Sequence, residues 1–273
     1  MDGILVINKP AGMTSHDVIS RLRKQYQQKK FGHTGTLDPQ ASGVLVVLAG
    51  KAAKCLQFLS DTDKEYISRL ELGSDTDTDD AWGEVIDTKP VDRNFDFGEQ
   101  LEKLAGEQHL QVPAASAKKV NGKKLLDYKR AGQPVPEVFQ DITVYDAKVI
   151  DDEELRFSVS CSSGTSVRSL CRKLAHDTGN CGHMAELVRT RAGVFTLDDA
   201  DELDGPHRLH SIDEALQGWK RVYWPETSDI YNGKRIQLDS DADRVLIVDE
   251  HDTALAVYER EQGSTYRSAR GLW

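Results

Sequence analysis

The 273-residue chain contains no run approaching eighteen apolar residues, so nothing in it reads as a membrane-spanning helix. Its opening residues, MDGILVI, lack the basic stretch and small-residue cleavage site of a secretory leader, which predicts a cytoplasmic protein. Cysteine is scarce. Cys55, Cys161, Cys171 and Cys181 form no Cys-x-x-Cys pair and have no histidine at zinc-finger spacing. Reduced core thiols are therefore expected, and a metal site is not. Positive charge is also in deficit: 35 Lys and Arg stand against 45 Asp and Glu, a net charge of −10. Such a bulk field repels nucleic acid, so an RNA-binding role requires cations concentrated locally. The length allows a sizeable core, as one large domain or a large and a small one.

The most informative stretch that is present is GHTGTLDPQASGVL, residues 32–45. It places one carboxylate, Asp38, in a glycine-rich turn ahead of the apolar run 44–48, which reads as a buried strand. Gly32 and Gly35 allow positive φ and close backbone approach, and Pro39 forces Asp38 into an extended conformation. A carboxylate held this way is aimed, as a nucleophile or general base must be. The same Asp-Pro pair also serves as ordinary punctuation between a loop and a strand.

Upstream, residues 4–7 read as a buried strand and 8–15 as a loop. Ser15 is expected to cap a helix whose apolar face carries Val18, Ile19, Leu22 and Tyr26. Downstream, 51–60 reads as a helix and 64–73 as a strand in which Tyr66, Ser68 and Leu70 share a face. The acidic run 74–80 lacks the glycine and glutamate of a calcium loop and reads as a solvated turn opening a hairpin. A short helix is expected over 97–106.

Residues 116–136 carry Lys118, Lys119, Lys123, Lys124, Lys129 and Arg130 against Asp127 alone, five net positive charges in an acidic chain. Gly122, Gly132, Pro134 and Pro136 interrupt regular structure there, so a mobile patch able to neutralise phosphates is expected. Strands over 142–145 and 155–160 precede a helix with Val167, Leu170, Cys171 and Leu174 on one face and Gly179 at its end. Arg168 lies in its first turn, beside the positive end of the helix dipole, so it needs a partner from elsewhere. Beyond 201 come a short linker helix over 211–217 and strand-like runs at 245–248 and 254–258. Those last fifty-odd residues are too few to be robust alone and should dock on the main body.

The 32–45 stretch resembles the catalytic motif GHTGxLDPxAxGxL of the TruB-type tRNA pseudouridine synthases, which isomerise uridine 55 in the T-loop of tRNA. The resemblance covers roughly residues 2–200. NKPAGMTS resembles the family's (D/N)KPxGxTS box, which implies that Lys9 supports the active-site wall. Lys64-x-Tyr66 is similar to the K-x-Y motif, which implies that Tyr66 stacks on the target uracil. TDTDDAWG resembles TDTxDAxG. The 116–125 stretch looks like the thumb loop that closes over the T-loop, which implies substrate contacts by Lys119, Lys123, Lys124 and Arg130. CSSGTSVR resembles CSxGTYIR, whose arginine pairs with the catalytic aspartate; this implies an Arg168–Asp38 pair. The residues from Gly182 to Phe195 resemble the family's closing motif, with Leu187 lining the uracil pocket. His33 would fill the space left by a flipped base. Leu126 and Ser166 depart from the pattern, standing where the family commonly has tyrosine.

The resemblance implies an α+β fold: a large mixed, mainly antiparallel sheet flanked by helices and loops, with a small C-terminal β module. It implies a catalytic domain over 1–200, a linker over 201–221 and a PUA-like module over 222–273. The implied activity is Asp38-dependent rearrangement of a flipped-out uridine in the tRNA T-stem-loop, by a monomer, with no metal, no cofactor and no membrane. A non-catalytic tRNA-binding or folding protein would share the basic segment without needing Asp38. A carboxylate-dependent glycosidase would need a paired acid, and none stands near Asp38 in sequence. A guide-RNA-dependent relative is disfavoured by the short C-terminal module.

Overall fold

A computed structural model describes residues 1–273. The chain divides into two compact units. One comprises Met1–Pro39, Val44–Ser60 and Gly193–Trp273; the other comprises Gln40–Gly43 and Asp61–Ala192.

In the first unit, the apolar run near the start forms the strand Gly3–Lys9, flanked by Asp201–Glu202 in parallel register and by Ser42–Ala49. Phe31–His33 pairs antiparallel with Ser42–Ala49, His33 opposite Val47. The helix Ser15–Gln25 lays Val18, Ile19 and Leu22 against Leu5, Ile7, Leu45 and Val47, all nearly inaccessible to water. Burial of each such side chain contributes about 1.5–3 kcal/mol. Thr14, not Ser15, caps this helix: its hydroxyl accepts from Asp17 N at 3.0 Å, while Asp17 Oδ2 accepts from Thr14 N at 2.9 Å. The expected 51–60 helix is a 3-10 turn, Gly50–Cys55, followed by one α turn, Leu56–Leu59.

The same unit holds the C-terminal sheet of five strands, ordered Arg221–Tyr223, Arg244–Val248, Ala254–Gln262, Thr265–Gly271 and Ile236–Gln237. Its core is Val245, Ile247, Tyr258, Tyr266 and neighbours. The docking expected for so small a module is visible. Lys54 Nζ donates to the Trp273 carbonyl and lies 5.8 Å from the centre of its ring, while Phe58 meets Trp219 of the preceding segment edge to face at 5.6 Å.

In the second unit the strand order is Gly182–Ala192, Lys64–Leu72, Arg156–Cys161, Phe139–Asp151, Gly106–Gln111, antiparallel throughout. One parallel pairing makes the sheet mixed: Val188 and Arg189 lie opposite Ser42 and Gly43. The helix Val167–Asp177 packs on this sheet, with Val167, Leu170, Cys171 and Leu174 buried and Gly179 in the left-handed region after its end. The helix at Phe97–Glu102 is shorter than its expected span because Gly106 already begins a strand. All four cysteines are free and buried, as expected. Burial pushes the Cys55 and Cys171 thiols up to about 12 and Cys161 to about 11.

Candidate active site

Asp38 is half-buried, and the backbone on either side of it is pinned within the first unit. Ahead of it, Ser15 Oγ donates to the Leu37 carbonyl at 3.2 Å and accepts from Leu37 N at 2.9 Å. Behind it, the Pro39 carbonyl accepts from Gly12 N (2.9 Å), Met13 N (3.1 Å) and Lys9 Nζ (3.1 Å). Lys9 is fully buried and also donates to the carbonyls of Pro10 and Met13. These three bonds fix the loop that holds the Asp38–Pro39 peptide. The NKPAGMTS segment therefore works as a bracket for Asp38. Ser15 leaves the capping position to Thr14 because it is turned inward to grip Leu37. His33 is half-buried on its short strand.

The glycine that this region cannot replace is Gly43, where the strand after the turn begins. Its φ is +103°, and a Cβ there would sit 2.2 Å from the Arg189 carbonyl oxygen. Gly32, in contrast, lies in a strand with open space around it.

In the second unit, Tyr66 lies in mid-sheet, opposite Val159 on one side and Arg189 on the other, with 8% of its surface exposed. Leu187 is half-buried and pairs with Ser68, two residues along the same strand face. Arg168 is buried, as a cation in a first helical turn must be if other elements compensate it. Nη1 donates to the Thr78 carbonyl at 2.9 Å and lies 3.5 Å from Asp80 Oδ2, and Nη2 donates to the Ala115 carbonyl at 3.2 Å. Ser166, which stands in the place of a family tyrosine, caps this helix by accepting from Ser169 N.

These contacts correct the reading of the acidic run. It does open a hairpin, Ser74–Thr76 with Val85–Thr88, but Thr76, Asp79 and Asp80 are buried rather than solvated. Asp80 Oδ1 accepts from the Thr78 hydroxyl and from Trp82 N, while Asp79 pairs with Arg172 at 3.0 Å. Burial raises the pKa of Asp79, opposed by Arg172 and Arg168. The need for a partner at Arg168 was legible, but Asp79, Asp80 and Arg172 were missed. Alternating Asp and Thr look like a surface turn until the two arginines, some ninety residues on, fold against them.

The basic segment is more regular than its glycines and prolines suggest. Lys119–Val120 and Lys123–Lys124 form a small hairpin turned by Asn121 and Gly122, both at positive φ, and a helix follows at Leu125–Arg130. Lys119 and Lys124 are directly opposite each other and exposed, as is Arg130. Like charges in that register repel, and an anionic backbone laid over them would relieve the repulsion. Lys123 Nζ lies over the Tyr128 ring at 4.3 Å and donates to Gln133. Leu126, in the other family tyrosine position, is held by its backbone N to the Ser116 carbonyl.

A family model described as "TruB family pseudouridylate synthase (N terminal domain)" matches residues 23–167. The chain belongs to the TruB family of pseudouridylate synthases. It is 39% identical to the tRNA pseudouridine synthase B of Bacillus cereus (strain ATCC 14579), over 95% of this chain and 92% of the relative. The Bacillus subtilis (strain 168) relative of the same name is 36% identical, over 94% and 93%. Among solved structures, a Cbf5–Nop10–Gar1 complex matches with a TM-score of 0.75 at 22% identity, over 99% of this chain and 85% of that one. An H/ACA RNP bound to a substrate RNA containing 2′-deoxyuridine matches at 0.72 and 22%, with the same coverage. These two likenesses establish the fold, the α+β arrangement expected from the sequence. Family membership makes the chain an isomerase. Asp38, Lys9 and His33 lie in the first unit of this TruB-family chain; Tyr66, Arg168, Leu187 and the basic segment lie in the second.

Proposed function

We propose that the chain converts uridine 55 in the T-loop of tRNA to pseudouridine, with Asp38 as the catalytic carboxylate. The observation that carries this reading is the complete 32–45 motif in a chain 39% identical, along 95% of its length, to a tRNA pseudouridine synthase B. The reaction breaks the bond from uracil N1 to C1′ of the ribose, turns the base and joins C5 to C1′. The C5 proton is lost and N1 gains one, so atoms balance without an oxidant. Asp38 supplies the anionic oxygen near C1′ or C6. Arg168 pairs with Asp38 and keeps it ionised, since a close cation favours the charged form. Tyr66 stacks on the uracil and relays the C5 proton, Leu187 walls the base, and His33 takes the place of the flipped nucleotide.

The bracketing of Asp38 by Ser15 and Lys9 supports an aimed carboxylate, and the opposed Lys119 and Lys124 support an RNA partner. Lys123 and Arg130 extend that contact. In this reading residues 1–200 are the catalytic domain, 201–221 a linker and 222–273 an accessory module of a cytoplasmic monomer. Purified protein and an unmodified tRNA transcript, without guide RNA, provide the test. Mapping by carbodiimide treatment and reverse transcription should find one new pseudouridine, at position 55, absent when that uridine is replaced by cytidine. Modification elsewhere, or a requirement for a second RNA, would contradict the proposal.

A further inference from the structure

Lys129 lies in the last turn of the helix Leu125–Arg130 and reaches toward the acidic hairpin. Its Nζ lies 2.5 Å from Asp77 Oδ2 and 3.0 Å from the Asp77 carbonyl oxygen. The two side chains are 28% and 29% exposed, within reach of solvent and solutes. An ammonium against a carboxylate oxygen is the same contact that an ammonium makes with a phosphate oxygen. Among the cations of the basic segment, Lys129 is thus already occupied by an anion of the protein itself. The hydrogen bond from Lys129 is also the main reason the Asp77 carboxyl sits below its usual range.

Lys118 Nζ donates to the neutral Gln140 Oε1 at 3.1 Å, and the anchors just ahead of the segment run to backbone carbonyls. At its start, Ser169 Oγ donates to the Gln111 carbonyl at 2.7 Å and Arg168 to the Ala115 carbonyl. Those two anchors use no lysine of the segment, so they persist when RNA arrives. Asp77 is itself fixed independently of Lys129, because Oδ1 accepts from Glu84 N at 2.9 Å. Losing the lysine therefore leaves the carboxylate in place, with its second oxygen returned to water.

We propose that Asp77 stands in for an RNA phosphate, and that Lys129 is a further substrate-binding residue which exchanges Asp77 for the RNA backbone as the basic segment leaves the acidic hairpin. This rests on the RNA substrate proposed above. The exchange makes the free protein tie down its own basic segment and release it on contact with a polyanion.

The test uses the full chain in an Asp38→Asn background, so that binding is read without turnover. Affinity for a tRNA T-stem-loop is followed by fluorescence anisotropy across salt. Removing one phosphate contact should reduce the slope of log affinity against log salt by about 0.7 to 0.9. Lys129→Ala is expected to give that reduction. Asp77→Asn keeps the acceptor for Glu84 N; it should leave the slope unchanged, tighten binding about threefold at 0.1 M salt and speed proteolysis of residues 116–136 in the free protein. An unchanged slope in Lys129→Ala, or weaker binding by Asp77→Asn, would make the pair a fixed strut and overturn the exchange. Should Lys129→Ala melt early, Lys129→Gln repeats the slope measurement with the side-chain stem retained. No binding by the parent protein at any salt would instead remove the RNA substrate itself, and this exchange with it.

Discussion

Gly43 carries a constraint that no other residue type satisfies. At φ +103° a side chain is strained, and the Arg189 carbonyl leaves no room for one. Gly43→Ala should cost more than about 2 kcal/mol and disturb the pairing of residues 42–43 with 188–189, read as a lowered urea midpoint. An unchanged midpoint would contradict the packing described. Lys64 gives a second residue-scale prediction. Burial, and then Arg189, lower its pKa from the ordinary 10.5 to about 8, with Asp61, Cys161 and Asp63 pulling the other way. Between those two values the unfolded chain holds a proton that the native state has shed, so stability rises with pH across that window. Lys64→Met should abolish the rise. Urea melts near pH 7 and near pH 9.5 should show the parent gaining on the variant; parallel behaviour would count against a buried lysine there.

The acidic hairpin shows how an element can acquire a role its own sequence does not announce. Asp80 and Arg168 are 12% and 9% exposed at the side chain, so removing the carboxylate takes one counter-charge from a buried guanidinium and leaves the Thr78 hydroxyl and Trp82 N without their acceptor. Asp80→Ala should cost about 3 kcal/mol. Asp80→Asn should cost less, since an amide oxygen still accepts from the Thr78 hydroxyl and Trp82 N. Equal melting of the two variants would contradict the part given to those two hydrogen bonds, and Asp80→Asn melting with the wild-type chain would argue that charge is irrelevant at that site. Elements whose burial follows from their own periodicity were legible: the alternation of Tyr66, Ser68 and Leu70, and the apolar face from Val167 to Leu174 ended by Gly179. What escaped was set by distant partners. Thr14 and Ser15 are both good capping residues, and only the Leu37 backbone decides which one turns inward. The 51–60 stretch has a helical apolar pattern yet begins as a 3-10 turn. Glycine and proline in the basic segment suggested irregularity, but Asn121 and Gly122 supply the turn of a hairpin.

For the whole molecule, charge is distributed against its average. A chain at −10 gathers five net positive charges over 116–136 and repels polyanions elsewhere, so binding should be local, oriented and steeply weakened by salt. The family motif at residues 32–45 was legible in full because its residues are contiguous. The supports of Asp38 were half legible, since NKPAGMTS marks a loop but not the Pro39 carbonyl it grips. The central claim is that a carboxylate at position 38 drives the exchange of a nitrogen–carbon for a carbon–carbon glycosidic bond. It is tested most directly by tritium release from tRNA transcripts labelled at uridine C5. The account predicts release of one equivalent per tRNA with the wild-type chain, and a rate lowered about a thousandfold or more in Asp38→Asn that still binds the RNA. Release by Asp38→Asn at the wild-type rate, or none from the wild-type chain on tRNA that it binds, would contradict it.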